Sequence, residues 1–391
     1  MRLAALLVCC LALGAAPAQG DAWTVGVVVS ASGPYADVGR AQAVAAERTG
    51  AYLARAGVFG ALLVVDVRDD GGDPRRAAAL ATELAEAGAV AVVCCTTPAA
   101  TGRVAAALNE HGVPHLALAE TDLAGRLWSL ALAPDDRARL TAVAVDAAAL
   151  GKASLALMTL DTRFGEATLM AFERALADTG RALAGEARYP AHAPVLTPEG
   201  LWIATREPGA VVVWGLQTDL PVALDGLRRR GYAGYVYVRS AALPAALWSR
   251  LQPDGEVAVG GDPWTGLRTP VAPAALAGRL PPDHPHAAAV EAFVGRVLGG
   301  DPTVASAHER ALMAQVDDAL MWLRAALEQV AALRLDPGVT TRRQATRDAL
   351  VGAPLVRLAA GAYDALENDP RTARWQGLIV ARVGEAGAAE P

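Results

Sequence analysis

The 391-residue chain carries 35 basic and 41 acidic side chains, a formal charge of −6, with 53% hydrophobic and 19% charged residues. That balance supplies a sizeable core and excludes a disordered chain. With Arg228-Arg229-Arg230 the only basic run, it also argues against nucleic-acid binding. The length suits two ordinary α/β domains or one large one, and Cys94 and Cys95, the only cysteines past residue 20, make no disulfide framework.

Arg2, an apolar run over 3–16 and Ala16-Pro17-Ala18 have the form of a secretory signal, expected over 1–20, with export to the periplasm or another extracytoplasmic space. The run is too short to span a bilayer, and later apolar stretches are broken by Arg, Asp, Gly or Pro, so the protein is not expected to be membrane-embedded. Cys9 and Cys10 sit inside the run and read as signal residues; a lipid-anchored Cys would end it.

From residue 23, short β-branched runs alternate with longer Ala/Leu-rich amphipathic segments. Strands are expected at 23–30, 62–68, 89–94 and 115–118, with helices at 37–56, 74–87 and 98–111 between them. After a polar break at 119–136 the rhythm restarts. Helices at 136–149, 165–179, 197–206 and 218–230 separate strands at 153–159, 182–188, 210–214, 234–238 and 256–261. A proline-crowded stretch at 262–285 reads as a second crossing; helices at 286–299, 306–332 and 342–352 and a strand at 376–383 follow. The βα order implies parallel sheets. The expected architecture is therefore α/β, two doubly wound parallel-sheet lobes joined by a multi-segment hinge. One lobe would take 21–136 plus 264–352, the other 137–263 plus 353–391. Ligands of such sheets sit at strand C-terminal ends.

Several segments carry a family resemblance. Val25-Gly26-Val27-Val28-Val29 followed by Ser32-Gly33-Pro34-Tyr35 resembles the first strand and ligand loop of the leucine/isoleucine/valine-type periplasmic binding proteins. Asp69-Asp70-Gly71-Gly72-Asp73-Pro74 is similar to the family's acidic turn, and Asp161-x-x-Phe164-Gly165 to its D-x-x-[YF]-G signature. Val211-Val212-Val213-Trp214-Gly215 and Arg230-Gly231-Tyr232 fall in the same order, so the resemblance spans nearly all of 22–383.

The resemblance implies a type I periplasmic binding fold that closes on its ligand by a three-segment hinge. It implies the substrate-binding subunit of a branched-chain-amino-acid-type ABC transporter, with permease subunits as partners, a small-molecule amino acid or carboxylate as ligand, no cofactor and no catalysis. The ligand loops would be Thr96-Thr97 and Ala119-Glu120-Thr121, with Tyr35 in the first loop and Phe164 and Trp214 as aromatic walls. The residues themselves suggest how: Thr96 and Thr97 precede a helix opening with Pro98, which leaves hydroxyls and free N–H groups for a carboxylate. Thr97 equally reads as a helix cap, and Trp214 as a packed strand end.

One departure stands out. The family supplies an acid after the fourth strand of the second lobe to pair with the ligand's ammonium, whereas this chain has Arg239-Ser240-Ala241-Ala242. Either Glu120 supplies that charge from the first lobe, or the ligand is not an α-amino acid and Arg239 pairs with an anionic group; Arg239 also reads as a solvent-facing strand end. A ligand sensor signalling to a partner protein, and an exported hydrolase using Cys95, are the other readings. The six histidines suggest no metal site.

Overall fold

The computed structural model describes residues 22–58, 62–253, 264, 266–334, 338–363 and 377–384. The expected signal segment, the expected strand at 256–261 and the tail from 385 lie outside these residues.

The first sheet is built from β1 (Ala22–Val29), which leads into α1 (Ala36–Ala56), β2 (Leu62–Asp69) and α2 (Pro74–Glu86). There follow β3 (Ala91–Cys94), α3 (Pro98–His111), β4 (His115–Ala117) and β5 (Ser129–Ala131). All pairings are parallel, in the order β2-β1-β3-β4-β5. β3 is an unbroken run of Ala, Val and Cys, and β1 is apolar apart from Thr24 and Gly26, because helices cover both faces of the sheet.

The second sheet begins after α4 (Asp136–Ala149). It comprises β6 (Ser154–Leu160), α5 (Arg163–Thr179), β7 (Ala182–Tyr189), α6 (Thr197–Ala204), β8 (Ala210–Trp214), α7 (Leu220–Arg228) and β9 (Tyr235–Val238). It also takes in β10 (Leu251–Gln252) and β11 (Leu267–Val271). The chain then returns to the first lobe for α8 (Ala287–Val297), α9 (Ala307–Ala332), α10 (Val339–Val351), β12 (Val356–Arg357) and β13 (Ala362–Tyr363). It comes back to the second sheet as β14 (Ile379–Val383), giving the order β10-β14-β11-β9-β8-β6-β7, with β14 antiparallel to both neighbours.

Two boundaries differ from the sequence expectation. β11, assigned to the first lobe, pairs with β9 and β14 in the second sheet. Its Pro270 disguises it, since proline is rare in a paired strand; here the β9 pairing stops at Arg268, two residues before it. Conversely, Ala359, Ala360 and Tyr363, assigned to the second lobe, are buried in the first lobe's core. Asp318 of α9 holds them there, accepting from the Ala359 and Ala360 N–H groups at 2.9 and 2.8 Å and from the Tyr363 hydroxyl at 3.0 Å. The chain thus passes between lobes after β5, after β11 and between β13 and β14.

The opening strand–helix unit of each lobe uses glycine in the same way. A Cβ on Gly39 of α1 would collide with the Ser30 carbonyl oxygen at the end of β1, and one on Gly165 of α5 with the Leu160 carbonyl oxygen at the end of β6. Both helices therefore start tight against the strand end, and the first turns of α5 face the gap between lobes.

Candidate functional site

That gap holds a cavity of about 900 Å³, within the range of small-molecule sites. First-lobe residues Thr96, Pro98, Ala119, Glu120 and Thr121 come from the loops after β3 and β4. Second-lobe residues Phe164, Thr168, Arg239 and Ser240 come from α5 and the loop after β9. Trp248, Pro270 and His308 also line it. The Gln315 amide of α9 donates to the Leu118 carbonyl at 2.8 Å and fixes the loop that carries Glu120 and Thr121.

Of the nine residues expected from sequence, Thr96, Ala119, Glu120, Thr121, Phe164 and Arg239 face this cavity; Tyr35, Thr97 and Trp214 do not line it. Tyr35 ends an exposed turn (Gly33–Tyr35). The Thr97 hydroxyl caps α3, accepting from Ala100 N–H at 3.3 Å. Trp214 is wholly buried between the second sheet and the α4/α5 layer. Thr96 lines the cavity, but its hydroxyl hydrogen is engaged: it donates to Gln42 Oε1 at 2.7 Å and accepts from Ser30 N–H at 2.9 Å. It thereby ties the first and third strand loops together. The uncharged cradle of hydroxyls and backbone N–H groups expected from sequence is therefore not the dominant polar feature.

That feature is a square of four charges. Arg139 Nη1 lies 3.0 Å from Glu120 Oε2 and 3.1 Å from Asp136 Oδ1. Arg239 Nε donates to the same Asp136 Oδ1 at 3.0 Å, and its Nη2 lies 3.7 Å from Glu120 Oε2. The Arg239 guanidinium also sits 5.4 Å from the Phe164 ring centroid, a cation–π distance. Glu120 is the first-lobe member; Asp136, Arg139 and Arg239 belong to the second. At the hinge side, His308 of α9 packs its ring against Trp248, centroids 4.7 Å apart, and burial holds its pKa below the ordinary histidine value.

Cys94 ends β3 and Cys95 follows it; both are fully buried and neither lines the cavity. Among the described residues no three His, Cys, Asp or Glu side chains are grouped to hold a metal ion, and no helix is long and apolar enough to cross a membrane.

Residues 22–388 match the family described as periplasmic binding protein. The chain belongs to this family. Solved structures with the same fold include a putative branched-chain amino acid ABC transporter from Rhodospirillum rubrum. It is 21% identical, with 94% of this chain and 98% of that one covered, at a TM-score of 0.72. An ABC transporter substrate-binding protein from Desulfitobacterium hafniense in complex with Leu is 16% identical over 92% and 97% of the chains, at 0.67. A leucine-binding protein from Thermotoga maritima is 17% identical over 93% and 96%, at 0.63. Among curated proteins no match is found.

For a periplasmic binding protein, the residues that sequence reasoning missed are telling. Asp136 and Arg139 were hidden in plain sight: Asp135-Asp136-Arg137-x-Arg139 puts unusual charge density at the start of a helix that follows a lobe crossing. Trp248 and His308 carried no local signal, since only the folded hinge brings them together.

Proposed function

We propose that this periplasmic binding protein is the extracytoplasmic substrate-binding component of an ABC transporter of the branched-chain amino acid type. It would take an amino acid or a related small carboxylate between its lobes and deliver it to permease subunits. The observation that carries this reading is one cavity walled from both lobes by Glu120 and Thr121 on one side and Phe164 and Arg239 on the other. A ligand touching both walls stabilises the closed arrangement, because only there are all contacts made.

Free donors and acceptors support a ligand with a carboxylate. The Thr121 hydroxyl has no hydrogen bond to any described residue, and each guanidinium of the square keeps N–H groups beyond those used by Asp136 and Glu120. Pro134, Leu118, Val271 and Leu312 give the rest of the wall an apolar character suited to an aliphatic or aromatic body. The role is binding rather than turnover, as befits the family. The test is a thermal-shift screen of ligand-free protein against amino acids, amides and aliphatic and aromatic carboxylates. Stabilisation by members of this set supports the reading; a flat response to the whole set contradicts it.

A further inference from the structure

One helix holds the segments that border the cavity. Three buried polar side chains of α9 do this, each on a different segment. Arg310 donates to the Ala274 and Ala275 carbonyls, at 3.3 and 2.8 Å, in the turn that follows β11 and opens the second crossing. Gln315 holds the Leu118 carbonyl ahead of Glu120 and Thr121. Asp318 accepts from the Ala359 and Ala360 N–H groups and the Tyr363 hydroxyl, just before the third crossing. The Ala274 N–H donates to the Ala359 carbonyl at 2.9 Å, so the second and third crossings are also tied to each other.

Asp318 differs from the other two in what depends on it. Ala360 lines the cavity, and its methyl side chain gives it no polar anchor of its own. Ala359 and Ala360 form the turn between β12 and β13, where no strand or helix ladder takes up their N–H groups. The Asp318 carboxylate does so instead. Tyr363 adds the third bond, and its ring stacks on Trp322, one turn further along α9, with centroids 5.5 Å apart. Hydrogen bonds to an ionised carboxylate are roughly twice as strong as neutral ones, so the grip on this wall depends on the charge of the carboxyl group.

We propose that Asp318 is a positioning residue for ligand capture, holding the turn between β12 and β13 so that Ala360 keeps its place in the cleft wall as the lobes close. The inference rests on the substrate-binding reading and adds a residue that acts on the ligand through another. Burial and the Asp317 charge push the Asp318 pKa up to about 8, which gives the role a pH signature. Facing this carboxyl are Asp317, paired with Arg296 of α8 and bonded to the Thr49 hydroxyl of α1, and Tyr363, whose hydroxyl burial holds well above its ordinary value. On the same turn, the Leu358 carbonyl lies 2.7 Å from His286 Nδ1, and burial keeps that histidine below its ordinary value. Tighter capture by the ionised form means, by linkage, that the ligand lowers the Asp318 pKa and that binding near pH 8 releases part of a proton.

The experiment titrates leucine and phenylalanine calorimetrically into the full chain between pH 6.5 and pH 9, for the wild type, Asp318→Asn and Tyr363→Phe. Asp318→Asn keeps the shape of the side chain and cannot ionise. Its deficit in affinity is expected to be at least fivefold at pH 9 and to narrow toward pH 6.5, where the wild-type carboxyl is itself protonated. Tyr363→Phe removes the hydroxyl and keeps the ring stack, and it serves if Asp318→Asn fails to fold. Its rise in affinity with pH is expected to begin at higher pH than in the wild type, because a donor to the charged form is gone. A deficit of Asp318→Asn that is equal at every pH marks a merely structural role. That result, no deficit at all, or an unshifted profile in Tyr363→Phe overturns the inference while the substrate-binding reading stands. Binding of neither amino acid by the wild type overturns it as well, and if the wider screen is also flat the substrate-binding reading falls with it.

Discussion

Arg139 Nη1 and Glu120 Oε2 meet at 3.0 Å across the gap between the two lobes, the shorter of the two contacts by which the charge square joins them. The arginine is mostly buried and the glutamate is 38% exposed, so solvent screens the pair and its coupling is modest. A double-mutant cycle with Glu120→Gln and Arg139→Met, followed by urea unfolding, is expected to show a coupling of about 0.5–1 kcal/mol that shrinks in high salt. A coupling of zero in low salt would mean that the lobes stand apart in the unliganded protein.

Arg296→Met is expected to be far more costly. Arg296 donates to both Asp317 oxygens, at 2.9 and 2.6 Å, and Asp317 also accepts from the Thr49 hydroxyl at 2.7 Å, joining α8 and α1 to α9. Asp317 is 1% exposed, and beside it burial, reinforced by the Asp317 charge, pushes Asp318 up to about 8. Removing the guanidinium leaves a buried carboxylate without its cation, a loss of about 3–5 kcal/mol. Chemical denaturation measures it, and a loss below about 1 kcal/mol would contradict the assignment.

His115 gives a pH dependence of definite sign. Its Nδ1 is 3.0 Å from Ser129 Oγ and its Nε2 3.3 Å from the Cys94 carbonyl, between β3 and β5, and complete burial holds its pKa down to about 4 from 6.5. The unfolded chain takes up this proton first, so the contribution to stability is whole above pH 6.5 and is lost as pH falls toward 4. The full effect is roughly 3 kcal/mol. His115→Gln cannot titrate, so the stability gap between it and the wild type should narrow by that order between pH 7 and pH 4. A constant gap would show that the imidazole takes up its proton over the same pH range in the folded and the unfolded chain.

Two glycines make a paired test of packing. Gly165→Ala drives a methyl into the Leu160 carbonyl and is expected to cost about 1–3 kcal/mol and to weaken ligand binding by displacing Phe164. Gly295→Ala in α8 meets open space and is expected to stabilise by roughly 0.5–1 kcal/mol. Urea midpoints separate the two.

These sites also show how far the sequence could be read. The Val-rich strands, the helix caps and Gly165 after β6 are local signals, which is why the two-lobed α/β plan and the position of Phe164 were legible. β11 was not, because Pro270 mimics a loop while the pairing that accommodates it comes from β14, more than 100 residues later in sequence. Thr97 and Trp214 had two readings each; folding gave Thr97 to the α3 cap and Trp214 to the core. The partnership of Asp136 and Arg239 spans 103 residues, and no periodicity encodes it.

Small-angle X-ray scattering of the ligand-free protein, before and after adding an amino acid that raises its melting temperature, tests the central claim most directly. A hinged two-lobed binder is expected to contract measurably at saturation, with the radius of gyration returning to its starting value when the ligand is dialysed away. An unchanged scattering profile at ligand occupancy shown by calorimetry would contradict closure of the lobes around a guest.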